Sequence, residues 1–399
     1  MSTDELINLM QVRAFVRVAE LGSVSKASEA LFRAQSVVTR AISELEARFN
    51  VPLFERHANG MRLTNYGERV LPRALRVLNE LASVPALLGT SKVEPLYLFQ
   101  TRRLQVFVKL CETRHMQTVA SHFGLSQPAI SSALKVLEGG CAVPLFERTP
   151  RGLQPTRASQ EMVFPIRRAL NELRHMETDL SAMRGALKGV VHVGALPLGR
   201  TSILPEAIVR LTLQHPGIQV ITNESPFDLL ATELRTGDID FVFGALRSAT
   251  YASDLTGEPL LTEDMVVLAR HDHPLRGVAL GREELTNARW VLPRAGSPAR
   301  QMLDTRFVES GMAPPWPVVE SGDLAIIRGL LMRSDMLAVV STHQLELEIT
   351  SGDLCVLPVQ LKRTTRAIGM TYRSASLHSP VADALMQTIR QVISERPKP

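Results

Sequence analysis

The sequence predicts a multidomain chain: two copies of one small helix-rich module, a long joining helix, and a C-terminal half of α/β type. Three observations predict it. The hexapeptide VPLFER stands at residues 51–56 and again at 143–148, and sliding the chain along itself by 92 positions aligns a whole module without a gap. At that offset Phe15 meets Phe107, Gln35 meets Gln127, Glu46 meets Glu138, Gly60 meets Gly152 and Thr64 meets Thr156. The charge also divides: Lys and Arg outnumber Asp and Glu by 25 to 17 in residues 1–189, against 20 to 23 in residues 190–399, so the total of +5 is the sum of +8 and −3. From Gly189 onward, apolar runs alternate with helical stretches, the pattern of covered parallel sheets.

The bulk properties bound the class. A chain of 399 residues that is 45% hydrophobic and 21% charged has room for two or three domains with real cores. Its start, MSTDELINLMQ, has no basic segment followed by an apolar run, and no stretch approaches about 18 uninterrupted apolar residues, so a soluble cytoplasmic protein is expected. Cys111, Cys141 and Cys355 are odd in number and scattered; all three are read as buried small apolar residues.

In the first module Val12, Phe15, Val16 and Ala19 share one face of a helix, and Ser25 to Phe32 form a short second helix. A third runs from about Gln35 to Phe49, with Val38, Ala41, Ile42 and Leu45 at i, i+3, i+4 and i+7. The second module repeats that stripe as Ile130, Ala133, Leu134 and Leu137. The outer face of the third helix is small, polar or basic: Gln35, Ser36, Thr39, Arg40 and Ser43 in the first copy, and Gln127, Pro128, Ser131, Ser132 and Lys135 in the second. Such a face fits a DNA major groove and carries groups that bond base edges and phosphates.

After this helix, VPLFER supplies two apolar anchors and a basic residue, and Asn59-Gly60 is a hairpin turn signal, with Arg151-Gly152 at the same place in the second copy. A strand-turn-strand wing would carry Arg56 and Arg62, or Arg148 and Arg151, near phosphate or the minor groove. The bland alternatives are a solvated basic surface and an ordinary three-helix interaction module.

Two helices join the parts. Tyr66 to Leu88 follows the first module and is interrupted by Pro72 and Pro85; GTSKVEP, residues 89–95, reads as a flexible joint. From about Thr156 to Leu187, Met162, Ile166, Leu173, Met176, Leu180, Met183 and Leu187 recur at spacings of three, four or seven. That narrow seam predicts a dimerisation helix, with an intramolecular amphipathic helix as the competing reading.

In the C-terminal half the strands are VVHVGAL, GIQVIT, IDFVFGAL, MVVLAR, WVLP, PVVE, MLAVVS and Ala367 to Tyr372, with helices between them and a last helix from about Pro380 to Ser394. Ligands of such sheets sit beyond the strand C-termini, where helix N-termini offer free N–H groups. Those places are Pro197 to Ser202, Asn223 to Ser225 and Pro293 to Arg300, and the preferred pocket residues are Leu198, Thr201, Ser225, Arg294 and Ser297, each also a plausible cap or turn residue. His271 and His273 lack a third ligand and are read as loop residues, and neither a catalytic residue, a metal site nor a cofactor is expected.

The run from Val12 to Gly67, with FVRVAELGSVSKASEALF, SELEARF and VPLFERHANGMRLTNYG, resembles the winged helix-turn-helix domain of LysR-type transcriptional regulators. FVKLCE, LSQPAIS and VPLFERTPRGL resemble the same domain, and LPEAIVRLTLQHPGIQV, LRTGDIDFVFG and HDHPLRGVALGREEL resemble the family's effector-binding domain. The resemblance implies winged helix-turn-helix modules at 7–67 and 99–158, a helical linker at 68–95, a dimerisation linker helix at 159–188 and an effector domain at 189–399. That domain would be a two-lobed, periplasmic-binding-protein-like α/β fold, with lobe 1 at about 190–264 and 360–399 and lobe 2 at about 265–350. It further implies that the start of each third helix contacts DNA, and that the partners are double-stranded operator or promoter DNA, a small-molecule effector, RNA polymerase and further copies of the chain in a homodimer or homotetramer.

Both modules depart from the family pattern. The first has Ala34-Gln35-Ser36 where Ser-Gln-Pro is usual, and the second has Ser132 where arginine is common, Ser159 opposite Gly67, and Gly139-Gly140 inside its third helix. Each helical glycine costs about 1 kcal/mol, so that helix is expected to end early. Two other readings remain open from the sequence: a regulator whose second module is only a spacer, and a cytoplasmic small-molecule-binding α/β protein with a helical scaffold.

Overall fold

The computed structural model describes residues 6–58, 60–89, 94–150, 152–248, 252–278, 280–359 and 364–396. They form two compact units: one comprises the chain up to Gly189 with Thr232–Asp238 and Leu377–Val381, the other Val190–Ala231, Ile239–Ser376 and the residues from Ala382 onward.

The first unit holds both modules. Module one is α1 (Leu9–Leu21), α2 (Val24–Leu31), α3 (Gln35–Phe49), the antiparallel strands β1 (Phe54–His57) and β2 (Gly60–Leu63), and α4 (Asn65–Leu87). Asn8 and Ser23 cap the first two helices through their side chains. Module two is α5 (Thr101–Thr113), α6 (Met116–Phe123), α7 (Gln127–Cys141), antiparallel β3 (Phe146–Thr149) and β4 (Gly152–Pro155), and α8 (Arg157–Met183).

The 92-residue offset holds atom by atom. Phe15 packs on Phe54 with ring centroids 5.4 Å apart, and Phe107 on Phe146 at 6.0 Å. Glu46 accepts from the backbone N–H of Leu53 at 2.7 Å, as Glu138 does from Leu145 at 2.9 Å. Thr64 donates to the Pro52 carbonyl at 2.7 Å, and Thr156 to that of Pro144 at 2.9 Å. VPLFER is thus a packing device: its Leu and Phe are buried in each module, and its first carbonyls hold the threonine that starts the next helix. A Cβ on Gly67 would lie 2.2 Å from the Leu53 carbonyl oxygen; at the same place Ser159 instead donates its hydroxyl to the Leu145 carbonyl.

Three sequence expectations are corrected in this unit. The helix α7 does not end early: it runs 15 residues, the length of α3. Gly140 is required by packing, since a Cβ there would stand 2.2 Å from the Tyr97 ring, and burial of Cys141 outweighs the weak propensity of Gly139-Gly140. The helix α4 passes through Pro72 and Pro85 without interruption. The seam on α8 is not open to a second chain: Met162, Ile166, Leu173, Met176 and Leu180 are fully buried within the chain, packed together with Val70, Ala74, Val77, Leu81 and Val84 of α4, and only Met183 beyond them is exposed. A partner-free helix would leave such a stripe wet; here the partner helix belongs to the same chain. Most of the expected joint GTSKVEP falls on residues 90–93, outside the described residues; Glu94 is fixed by the Arg13 guanidinium, whose Nε donates to it at 2.6 Å. Asn59 and Arg151 also lie outside the described residues.

The C-terminal half of the chain contains β5 (Gly189–Ala195), α9 (Ile203–Gln214), β6 (Ile218–Asn223), α10 (Phe227–Thr236), β7 (Phe241–Ala245), β8 (Leu255–Glu263), β9 (Met265–Arg270), α11 (Arg282–Asn287) and β10 (Arg289–Leu292). It continues with α12 (Pro298–Glu309), β11 (Pro317–Glu320), α13 (Leu324–Leu331), β12 (Met336–Ser341), α14 (Glu346–Thr350), β13 (Leu354–Leu357), β14 (Arg366–Arg373) and α15 (Pro380–Ser394). One five-stranded sheet has the order β6-β5-β7-β14-β8 and the other β11-β10-β12-β9-β13, the two-lobed arrangement expected. The sheets are mixed rather than parallel: β5 pairs parallel with β7, and β10 with β11 and β12, but β14 is antiparallel to β7 and β8, and β9 to β12 and β13. The strands β8 and β13, absent from the sequence reading, provide those antiparallel edges. Alternation along β9 sends Val267 to one face of the second sheet and Leu268 to the other, where Trp290 and Phe307 or Ile327 and Leu331 cover them.

Two of the three cysteine expectations are also adjusted. Cys141 is buried, whereas Cys111 and Cys355 are partly exposed.

Candidate functional site

The polar faces singled out in the sequence lie on α3 and α7. Their apolar stripes, Val38, Ile42 and Leu45 on one and Ile130, Leu134 and Leu137 on the other, are buried, so the opposite face is left to solvent. In the first module Gln35, Ser36, Arg40 and Ser43 are exposed and Thr39 is half-buried; in the second Gln127, Pro128 and Lys135 are exposed and Ser131 is half-buried. Arg56 and Arg62 on the first wing and Arg148 on the second are exposed as well. The structure therefore leaves the described residues of each predicted set exposed or half-buried on its own module.

Arg40 is engaged on that face. Its Nε donates to Glu44 at 2.7 Å, and Gln11 donates to the other Glu44 oxygen at 2.8 Å. These bonds raise the Arg40 guanidinium and lower the Glu44 carboxyl relative to their ordinary values. With the Arg40 side chain 81% exposed, water screens the pair, so Arg40 can exchange Glu44 for a phosphate or a guanine edge at little cost.

The N-termini differ between the modules. Ser126 accepts from the Ala129 N–H at 3.4 Å and caps α7, while Ala34 gives α3 no side-chain cap, so its first N–H groups stay available to an anion. Sequence reasoning missed two apolar groups here: Phe32, 93% exposed at the left-handed residue between α2 and α3, and Val37, 53% exposed on the outer face of α3. Apolar contacts to thymine methyls need such groups, but a rule that sends apolar residues inward cannot pick them out.

In the second unit the chosen pocket residues fall on turns at strand ends. Leu198 is buried in the turn after β5, and Thr201 beside it donates to the His343 carbonyl at 3.2 Å. The Ser225 N–H is taken by Asn223 Oδ1 at 3.0 Å. Ser297 caps α12, accepting from the Arg300 N–H at 3.2 Å, and Arg294 is exposed before it. Thr201 and Ser297 thus point to different neighbours: the first reaches His343, the second its own helix. His273 is a buried loop histidine, its Nδ1 accepting from the Leu275 N–H at 3.0 Å, as expected.

Residues that no sequence signal marked gather where the chain crosses between the two sheets. Glu263, at the end of β8, is buried; Ser341 at the end of β12 donates to it, and His343 Nδ1 lies 3.0 Å from its other oxygen. Arg366, at the start of β14, pairs in register with Glu263; burial lowers its guanidinium and the Glu263 charge opposes that. Arg200 ties two strand ends, donating to the carbonyls of Ala195 at 2.8 Å and Glu224 at 3.0 Å. A depression of about 120 Å³ beside this crossing is lined by Thr342, His343, Glu346, Ile349 and Thr350. Alternation assigns strand ends no face, so buried charges there are invisible in a linear reading.

Comparison with known proteins bears on both units. The helix-turn-helix model of the LysR family of bacterial regulatory proteins matches residues 9–68 and, a second time, 101–160. The model of the LysR substrate-binding domain matches 184–394. The transcriptional regulator GalR of Pseudomonas putida is 72% identical over 392 residues, covering 98% of this chain and 99% of that one. The regulator GbpR of Azospirillum brasilense is 28% identical over 291 residues, covering 72% of this chain and 85% of its own. Among solved structures, that of CbnR, a LysR family regulator, has a TM-score of 0.54 at 21% identity and covers 74% of this chain and 99% of its own, which shows the shared fold. Full-length OxyR of Pseudomonas aeruginosa has a TM-score of 0.56 at 23% identity, covering 74% and 95%. Nearly whole relatives thus match only about three quarters of this chain, whereas GalR matches nearly all of it. Matched once by the family's substrate-binding domain and twice by its DNA-binding domain, the chain belongs to the LysR family of bacterial transcriptional regulators.

Proposed function

We propose that module one reads base sequence strongly through Gln35, Ser36, Thr39, Arg40 and Ser43, and that module two reads it weakly, binding mainly through phosphate contacts, with Gln127, Ser131, Lys135 and Arg148. The observation that carries this is the pair of exposed polar faces presented by two scaffolds of the same internal construction, one bearing Arg40 and the other Ser132 at the equivalent place. Arginine can hold guanine bidentately and serine cannot, so the first face discriminates bases more strongly. A small-molecule effector held by the two-lobed unit controls the complex, with Thr201, Ser225, Arg294 and Ser297 at the strand ends where ligands of such sheets lie. The protein works in the cytoplasm as a homodimer or homotetramer on promoter DNA, with RNA polymerase as its further partner. Among the described residues no helix is long and apolar enough to cross a membrane.

Gel retardation on promoter DNA tests the division of labour. Arg40→Ala should weaken specific binding roughly 10- to 100-fold with the fold intact. Neutralising Lys135 and Arg148 together should lower the slope of log affinity against log salt by about 0.9 for each phosphate that is no longer neutralised. An unchanged slope would make module two a spacer, and unchanged affinity would take Arg40 off the reading face.

A further inference from the structure

The two modules pack as the two subunits of a dimer would. The helices α4 and α8 are the same element of the two copies, and their ion pairs run in opposite directions. Arg73, early in α4, holds Asp179 near the end of α8 at 2.7 Å, while Glu80, later in α4, holds Arg168 earlier in α8 at 2.7 Å. Antiparallel packing of a helix on its own copy creates an approximate local two-fold axis, and the contacts answer one another to within a helical turn. Glu80 of module one takes Arg168 of module two, and Glu172, the equivalent of Glu80, takes an arginine of module one at 2.7 Å, Arg73, which stands one turn before Arg76, the equivalent of Arg168. The buried seam keeps the same offset, Val70, Ala74, Val77, Leu81 and Val84 answering to Met162, Ile166, Ala169, Leu173 and Met176. At the other end, Leu9 donates its N–H to Thr101 Oγ1 at 3.3 Å, and these two are equivalents as well. A residue that touches its own counterpart lies beside the axis.

Such self-complementary contact is the signature of a symmetric dimer interface, here closed within one polypeptide. A true dimer would carry identical heads and read inverted copies of one half-site. The heads of this chain differ: Val37 stands opposite Ala129, Arg40 opposite Ser132, Ser43 opposite Lys135 and Arg62 opposite Gln154. Because α4 and α8 fix one head relative to the other, exchanging them by rotation is not equivalent. We infer that a single chain is a complete two-headed DNA reader, whose binding site consists of two different half-sites in one fixed order, orientation and spacing. This rests on the reading of α3 and α7 as DNA contacts.

The test is selection by the full-length protein from duplexes randomised over about 30 base pairs, room for two half-sites one or two helical turns apart. The expected product is a motif of two unlike halves at a single spacing. Arg40→Ala should flatten the strong base preference of one half only and Lys135→Ala the weaker preference of the other, both variants being exposed positions whose folding is checked by circular dichroism. Inverting one half should reduce affinity at least tenfold. An inverted repeat of identical halves, a single half-motif, or two variants that flatten the same half would overturn the inference while leaving DNA reading by module one intact. Selection that enriches no sequence at all would overturn both.

Discussion

Arg73 offers the sharpest check on the paired helices. It is a 1% exposed arginine whose Nε and Nη2 donate to Asp179 at 2.7 and 3.1 Å and whose Nη1 donates to Glu172 at 2.7 Å. The carbonyls of Leu377 and His378, in the same compact unit, accept from it at 3.3 and 2.9 Å. Burial opposes its charge, but the bonds and charges of Asp179 and Glu172 outweigh that and raise the guanidinium above its ordinary value. Arg73→Ala leaves two carboxylates that are 2% and 5% exposed, Asp179 keeping only the exposed Arg69 at 3.5 Å. Breaking a buried pair in this way costs about 3–5 kcal/mol. For a unit of about 200 residues each kcal/mol moves the melting midpoint by about 2–4 °C, so a fall of roughly 6–20 °C is expected in calorimetry. Replacing the three together, Arg73→Met with Glu172→Met and Asp179→Leu, should recover most of the stability, because apolar groups of similar volume do not need the charges. A single variant within about 1 kcal/mol of the parent would show that water reaches the cluster, and would refute the tight α4–α8 pairing.

Leu173→Asp with Leu180→Asp should unfold the first unit rather than release a folded half-mass particle, since both leucines are fully buried inside the chain; scattering joined to near-ultraviolet dichroism decides, and a folded particle of half the mass would place the seam between chains. Gly140→Val should destabilise by about 1–3 kcal/mol by displacing Tyr97, whereas Gly139→Ala, with nothing within 4 Å of its new methyl, should be neutral or stabilising by about 0.5–1 kcal/mol in urea titrations. Ser297→Phe should abolish ligand-induced thermal stabilisation across a panel of small carboxylates, aromatic acids and sugars, with Ser297→Ala as the control that loses the same α12 cap, worth about 1 kcal/mol, without adding bulk. A full ligand response in Ser297→Phe would locate the effector elsewhere.

The local periodicities were legible because each depends on neighbours only a few residues away. Apolar spacing placed α3 at about Gln35–Phe49, and the pattern of the C-terminal half placed α15 at about Pro380–Ser394. The doubled module was legible for a related reason: a copied core must keep its copied anchors, and Phe15, Glu46 and Thr64 recur at one offset as Phe107, Glu138 and Thr156. The reading faces followed by subtraction, once the apolar stripes were assigned inward.

What covers a stripe is a different question, and only the tertiary structure answered it. The seam on α8 looks the same in sequence whether a second chain or α4 closes it, because hydrophobic burial has no address. The close approach of Tyr97 that makes Gly140 necessary joins residues 43 positions apart, so helix propensity in isolation predicted an early end that packing overrode. Thr201 and Ser297 look alike as hydroxyls at strand ends; their partners, His343 and the Arg300 N–H, are set by how turns and caps close locally. Burial of Glu263 beside the half-buried Arg366, where the chain crosses between sheets, depends on strand order, which linear alternation does not encode. Sequence determined the units and their faces through short-range periodicity; the fold alone decided which faces meet, since pairing is fixed by long-range contacts whose cost and gain no local window contains.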